Sequence, residues 1–71
     1  MIYVIATTQV KPEGRDAYLA GAKDCVAATR QEQGCISYEN HASIHDPNLF
    51  VVVERWASRE DLNAHARSSH L

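Results

Sequence analysis

The chain has little that would staple a small module. Its two cysteines, Cys25 and Cys35, follow no C-x-x-C spacing and belong to no cysteine-dense framework, which excludes a zinc ribbon or a small disulfide scaffold. No run of one charge sign exists either: seven basic and nine acidic residues are scattered singly, for a net charge of −2. Such a chain has nothing to track a phosphate backbone, so nucleic acid is excluded as a partner. The longest apolar stretch, Leu49 to Val53, falls far short of the roughly 20 residues of a membrane span. Met1-Ile2-Tyr3 has no basic leader segment before it, and the expected setting is the cytoplasm, away from any membrane. Internal repeats and low-complexity tracts are also missing.

These absences leave a stability problem. A chain of 71 residues is a single domain that buries only about 60% of its unfolded surface, which is marginal for a monomer. With no metal or disulfide signature, self-association is the remaining support, and a homodimer is expected.

The pattern that is present reads as β-α-β-β-α. Met1 to Val10 alternates, with Ile2, Val4, Ala6 and Val10 on one face and Tyr3, Ile5 and Thr7 on the other, as a strand with apolar residues on both faces does. Lys11-Pro12-Glu13-Gly14 breaks it, and Pro12 suits the first turn of a helix, where its missing N–H costs nothing. From Arg15 to Gln33 the residues Tyr18, Ala22, Cys25, Val26 and Thr29 form one stripe on a 3.6-residue period. Gly34 can take the left-handed conformation that closes this helix, and a weakly alternating strand runs from Cys35 to Ser43. His45-Asp46-Pro47-Asn48 is a turn. Leu49-Phe50-Val51-Val52-Val53 is apolar at every position, so both faces of this third strand need cover and one helix supplies only one of them. Ser58, with Asp61 three residues on, caps a short helix from Arg59 to about Arg67. The order implies an α+β fold: an antiparallel sheet with helices on one face, and a second subunit's sheet on the other.

Several separated motifs resemble the antibiotic biosynthesis monooxygenase (ABM) family of dimeric α/β barrels, built on a ferredoxin-like sheet. The most specific is Glu32-Gln33-Gly34-Cys35-Ile36-Ser37-Tyr38, similar to the family's E-P-G-C-x-x-Y with Gln33 in place of proline. Glu54-Arg55-Trp56, Leu62-x-x-His65, Val10-Lys11-Pro12-Glu13-Gly14 and the closing Ser69-His70-Leu71 agree in order and spacing. Family members usually continue through a further helix and a fourth strand that reaches the partner subunit. The resemblance therefore implies a single domain over residues 1–71 that is truncated at its C-terminal side.

The family includes oxygenases that use neither metal nor flavin and act on phenolic, quinol or polyketide-derived aromatics. Removing a phenolic proton gives an electron-rich anion that can pass an electron to O2, a task that needs a base, an apolar cavity and donors to hold the anion. The resemblance makes His65 the candidate catalytic base. Candidate substrate contacts are Glu54, Trp56 and Phe50 on one face of the third strand, together with Tyr38 and Thr7. Trp56 is read first as core filling, and Glu54 as an acceptor that can orient His65. No cofactor is expected, and no four-ligand metal set assembles from the histidine spacings: His65 and His70 stand about 140° apart around a helix. Two other readings share the fold. One is an isomerase of a small sugar phosphate, anchored by Arg55 or Arg67; the other is a binding dimer that leaves its ligand unchanged. A haem-degrading relative is less well matched, since those enzymes carry asparagine at Thr7 and tryptophan at His65.

Overall fold

A computed structural model describes residues 1–68. Strand β1 (Ile2–Gln9) leads through a 3₁₀ turn (Pro12–Gly14) into helix α1 (Arg15–Thr29), followed by β2 (Cys35–Ala42), β3 (Leu49–Trp56) and α2 (Arg59–Ala66). The β-α-β-β-α order expected from the hydrophobic periodicity is the observed one. The three strands form one antiparallel sheet in the order β1-β3-β2, which places the most apolar strand at the centre.

The register assigns the two faces. Along β3, Phe50, Val52, Glu54 and Trp56 are buried while Leu49, Val51, Val53 and Arg55 are half-buried. Phe50, Val52, Glu54 and Trp56 pair with Thr8, Ala6, Val4 and Ile2 on β1, and Val52 and Glu54 pair with Asn40 and Tyr38 on β2. Both helices cover this face. The core gathers Tyr38, Val52 and Trp56, with Val4, Val26, Cys35 and Leu62 packed around them. The opposite face, which carries Tyr3, Ile5 and Thr7 opposite Arg55, Val53 and Val51, has no helix over it among the described residues, and Tyr3 and Ile5 are 63% and 71% exposed.

Helix α1 ends earlier than its periodicity suggests, at Thr29 instead of Gln33. Beyond Thr29 the chain tightens: the amides of Gln31 and Glu32 donate to the carbonyls three residues back, Ala28 and Thr29. Bonds of this short-range kind close a helix where the chain must turn. Arg30 reinforces the turn by donating from Nε to the Tyr38 carbonyl at 3.1 Å. Gly34 does take positive φ, at 81°, after this turn and not directly on the helix end. The same glycine lies against Asp61 of α2, and a Cβ there would overlap the Asp61 carboxyl. Ser58 caps α2 as its spacing implies: its Oγ accepts from the Asp61 amide at 3.1 Å and donates to Asp61 Oδ2 at 2.9 Å. Strand β2 carries a bulge between Cys35 and Ser37, which leaves Ile36 44% exposed. Among the described residues no helix is long and apolar enough to cross a membrane.

Candidate functional site

The last residues of β3 and the second turn of α2 meet at a histidine. His65, 3% exposed, holds its Nδ1 2.9 Å from Glu32 Oε2. Its Nε2 lies 3.9 Å from Glu54 Oε1, and that same oxygen accepts the Trp56 indole N–H at 2.9 Å. The imidazole lies at 32° to the Trp56 ring with centroids 4.8 Å apart, and meets the Tyr38 ring edge-on at 5.6 Å. Strand alternation explains Glu54 and Trp56 sharing a face. Only the α2 packing explains His65, and only the turn after α1 brings Glu32 to it.

A cavity of 430 Å³ opens beside this group, between α1 and the sheet. Its polar wall includes Glu54, Tyr38, Cys25, Asn40, Tyr18 and Thr8. A second cavity of 460 Å³ lies along the other side of α1, with Lys23, Arg30, Glu39 and His41 in its wall, and it shares Ala22, Val26 and Asn40 with the first. Burial pushes the Tyr38 phenol well above its ordinary range, and Cys25, whose Sγ lies 3.9 Å from the phenol oxygen, adds to the effect, as does the Glu54 charge. Tyr38 is therefore a neutral donor in the wall and not a base. Burial also raises the Cys35 thiol, with the charges of Glu32 and Glu54 acting in the same sense, so Cys35 stays a thiol within the core.

The sequence-predicted residues divide into three places. Tyr38 and Glu54 line the 430 Å³ cavity. His65 and the fully buried Trp56 stand behind Glu54 and line neither cavity. Phe50 lies further along β3, in the wall of the second cavity, with the Tyr18 ring 4.7 Å away and the Arg15 guanidinium 5.8 Å from its own ring centre. Thr7 pairs with Val51 on the helix-free face, away from this group, and its neighbour Thr8 lines the cavity instead. Five residues of the arrangement were not among the candidates: Glu32, Tyr18, Asn40, Cys25 and Thr8. Asn40 had a readable signal, because it follows Tyr38 by two positions and so shares its inward face, where a polar side chain is the informative exception.

The fold is that of a known family. The whole chain, residues 1–71, matches the family described as Antibiotic biosynthesis monooxygenase, and the chain belongs to it. It is 31% identical over 70 residues to YcnE of Bacillus subtilis, a protein that carries a provisional monooxygenase name, and the match spans 99% of this chain and 74% of YcnE. A solved antibiotic biosynthesis monooxygenase superposes with a TM-score of 0.95 at 37% identity, over 99% of this chain and 74% of that one. Rv0793 of Mycobacterium tuberculosis superposes with a TM-score of 0.89 at 35% identity, over 96% of this chain and 68% of that one.

Proposed function

We propose that the protein is a monooxygenase that oxidises a phenolic or quinol-type small molecule with O2 and without a cofactor, its substrate held in the cavity between α1 and the sheet. The observation that carries this reading is the Glu54 carboxylate: it lines the cavity, with Nε2 of His65 3.9 Å behind it. Family membership and the provisional monooxygenase name of YcnE support the reaction class.

The chemistry follows from the arrangement. The substrate O–H breaks, its proton passes to the Glu54 carboxylate, and His65 Nε2 takes it on; contacts across such a gap are bridged by a water or closed by a small rotation. Glu32 holds the other ring nitrogen, fixes the tautomer and stabilises the imidazolium that forms. Tyr38, kept neutral, donates to the phenolate oxygen left behind. The anion then passes electrons to O2. One oxygen atom enters the ring and the other leaves as water, with a quinol supplying all the electrons. In this assignment His65 is the base and acts through Glu54, which touches the substrate together with Tyr38.

The sugar-phosphate isomerase reading draws less support. Arg55 donates to Ser37 Oγ at 2.7 Å on the helix-free face, and neither Arg55 nor Arg67 lines either of the two cavities described above. The helix-free face, with Tyr3, Ile5, Val51 and Val53, is proposed as the seat of a second copy of the chain in a homodimer.

Oxygen uptake by the purified protein on a panel of hydroquinones, with a chelator present, tests the proposal. Uptake well above the uncatalysed rate is expected. Uptake no faster than that rate for every member of the panel rules against it, and oxygen-independent conversion of a small sugar phosphate would favour the isomerase.

A further inference from the structure

The second cavity, 460 Å³ in volume, plays no part in the chemistry above, and its wall differs in charge from the molecule as a whole. The chain is acidic, with a net charge of −2, yet two of its seven cations, Lys23 and Arg30, line this one cavity. They stand seven residues apart on α1, close to two whole turns, so they project from the same side of the helix about 10 Å apart along its axis. Val26 lies between them. It belongs to both cavities, as does Ala22, so the two cations flank the seam at which the two spaces adjoin.

The fold leaves both cations free to act. Arg30 commits one donor, Nε, to the Tyr38 carbonyl at 3.1 Å. That bond fixes the guanidinium against β2 and leaves its four terminal N–H donors. Among the described residues Lys23 and Arg30 enter no ion pair. Both side chains are exposed, so water serves them in the free protein and a ligand in the cavity can reach them. Glu39, in the same wall, sets the balance: two positive charges less one negative leave a surplus of +1. Such a wall suits one negative charge and is poorly matched to a dianion such as a phosphate monoester. The planar guanidinium fork also matches a carboxylate in shape.

We infer that the 460 Å³ cavity is a subsite for a carboxylate on the ligand, held by Arg30 and Lys23. The inference rests on the phenolic reading above and narrows its substrate class. The ligand is a phenol or quinol whose ring lies in the 430 Å³ cavity and whose acidic side arm crosses at Ala22 and Val26. Arg30 donates to the carboxylate oxygens from its terminal nitrogens, and Lys23 from its ammonium group. The subsite positions the ligand and takes no part in the proton transfer.

The test is anaerobic equilibrium binding of hydroquinone and of hydroquinones that carry an acetate, propanoate or butanoate arm, each acid beside its methyl ester. At low salt at least one acid should bind the wild type roughly ten-fold more tightly than its ester. Lys23→Met should cut that preference by about three-fold, the scale of an exposed charge pair, and Glu39→Gln should raise it by about as much. Hydroquinone itself should bind all three proteins alike. Arg30→Met should remove the preference; if it also loses hydroquinone because the turn after α1 has loosened, Lys23→Met and Glu39→Gln decide alone. Acids and esters that bind the wild type equally at every arm length overturn the subsite. So does an acid preference that neither Lys23→Met nor Glu39→Gln changes. Failure of every compound, hydroquinone included, to bind the wild type overturns the phenolic reading itself.

Discussion

Glu32 and His65 stand 33 positions apart in the chain, yet Glu32 Oε2 lies 2.9 Å from His65 Nδ1. The contact ties the turn after α1 to α2 beside the cavity wall. Removing the acceptor from beneath a buried ring exposes a charge-assisted bond worth about 1.5–3 kcal/mol. Glu32→Ala should therefore lower the urea midpoint clearly, and Glu32→Gln, which keeps an acceptor, should recover part of the loss. In turnover, His65→Gln and Glu54→Gln should each cost about 10²- to 10⁴-fold. His41→Ala and His45→Ala, at exposed positions, should be close to silent. A His65→Gln variant that retained most of its activity would remove His65 from the role of base.

Gly34 carries two constraints. Its φ of 81° disfavours any Cβ, and a Cβ there also overlaps the Asp61 carboxyl. The backbone penalty by itself is about 1–2 kcal/mol. Gly34→Ala should exceed it, because Asp61 is held by the Ser58 cap and cannot simply swing away. Asp61→Ala should relieve part of the cost in a double-mutant cycle. Additive losses in that cycle would show that the two positions do not touch.

The raised Tyr38 phenol makes a statement about alkaline stability. Its ordinary value is 10.0 and its folded value lies higher, so above pH 10 the unfolded chain releases a proton that the folded chain still holds. Stability contributed by this phenol is complete below pH 10 and falls as pH rises from there towards the folded value. Cys35, raised from 9.0, acts in the same direction and starts lower. Urea midpoints measured from pH 7 to pH 11 should fall at the alkaline end for the wild type, and less steeply for Tyr38→Phe. Parallel curves for the two proteins would contradict the assignment.

The uncovered side of the sheet offers a separate test of self-association. Tyr3 and Ile5 are exposed there beside Val51 and Val53. Sedimentation equilibrium at micromolar concentration should give a dimer for the wild type and a shift towards monomer for Ile5→Glu or Val53→Lys. A wild-type monomer at that concentration would reject the proposed pairing.

Local chemistry determined much of this protein by itself. Strand alternation placed Glu54 and Trp56 with Phe50 and Val52 on one face of β3, because neighbouring side chains on a strand must point opposite ways. Gly34 marked the left-handed turn and Ser58 marked the helix cap, since both signals depend on a few adjacent residues. The end of α1 was less legible: periodicity continues past the point where hydrogen bonding changes. What only the tertiary structure decided is how the site is shared out. The meeting of Glu32 with His65 and the placement of His65 behind Glu54 both depend on how α1 and α2 rest on the sheet. Packing of this kind is set by the fit of whole faces across long chain separations, and no short window of residues carries it.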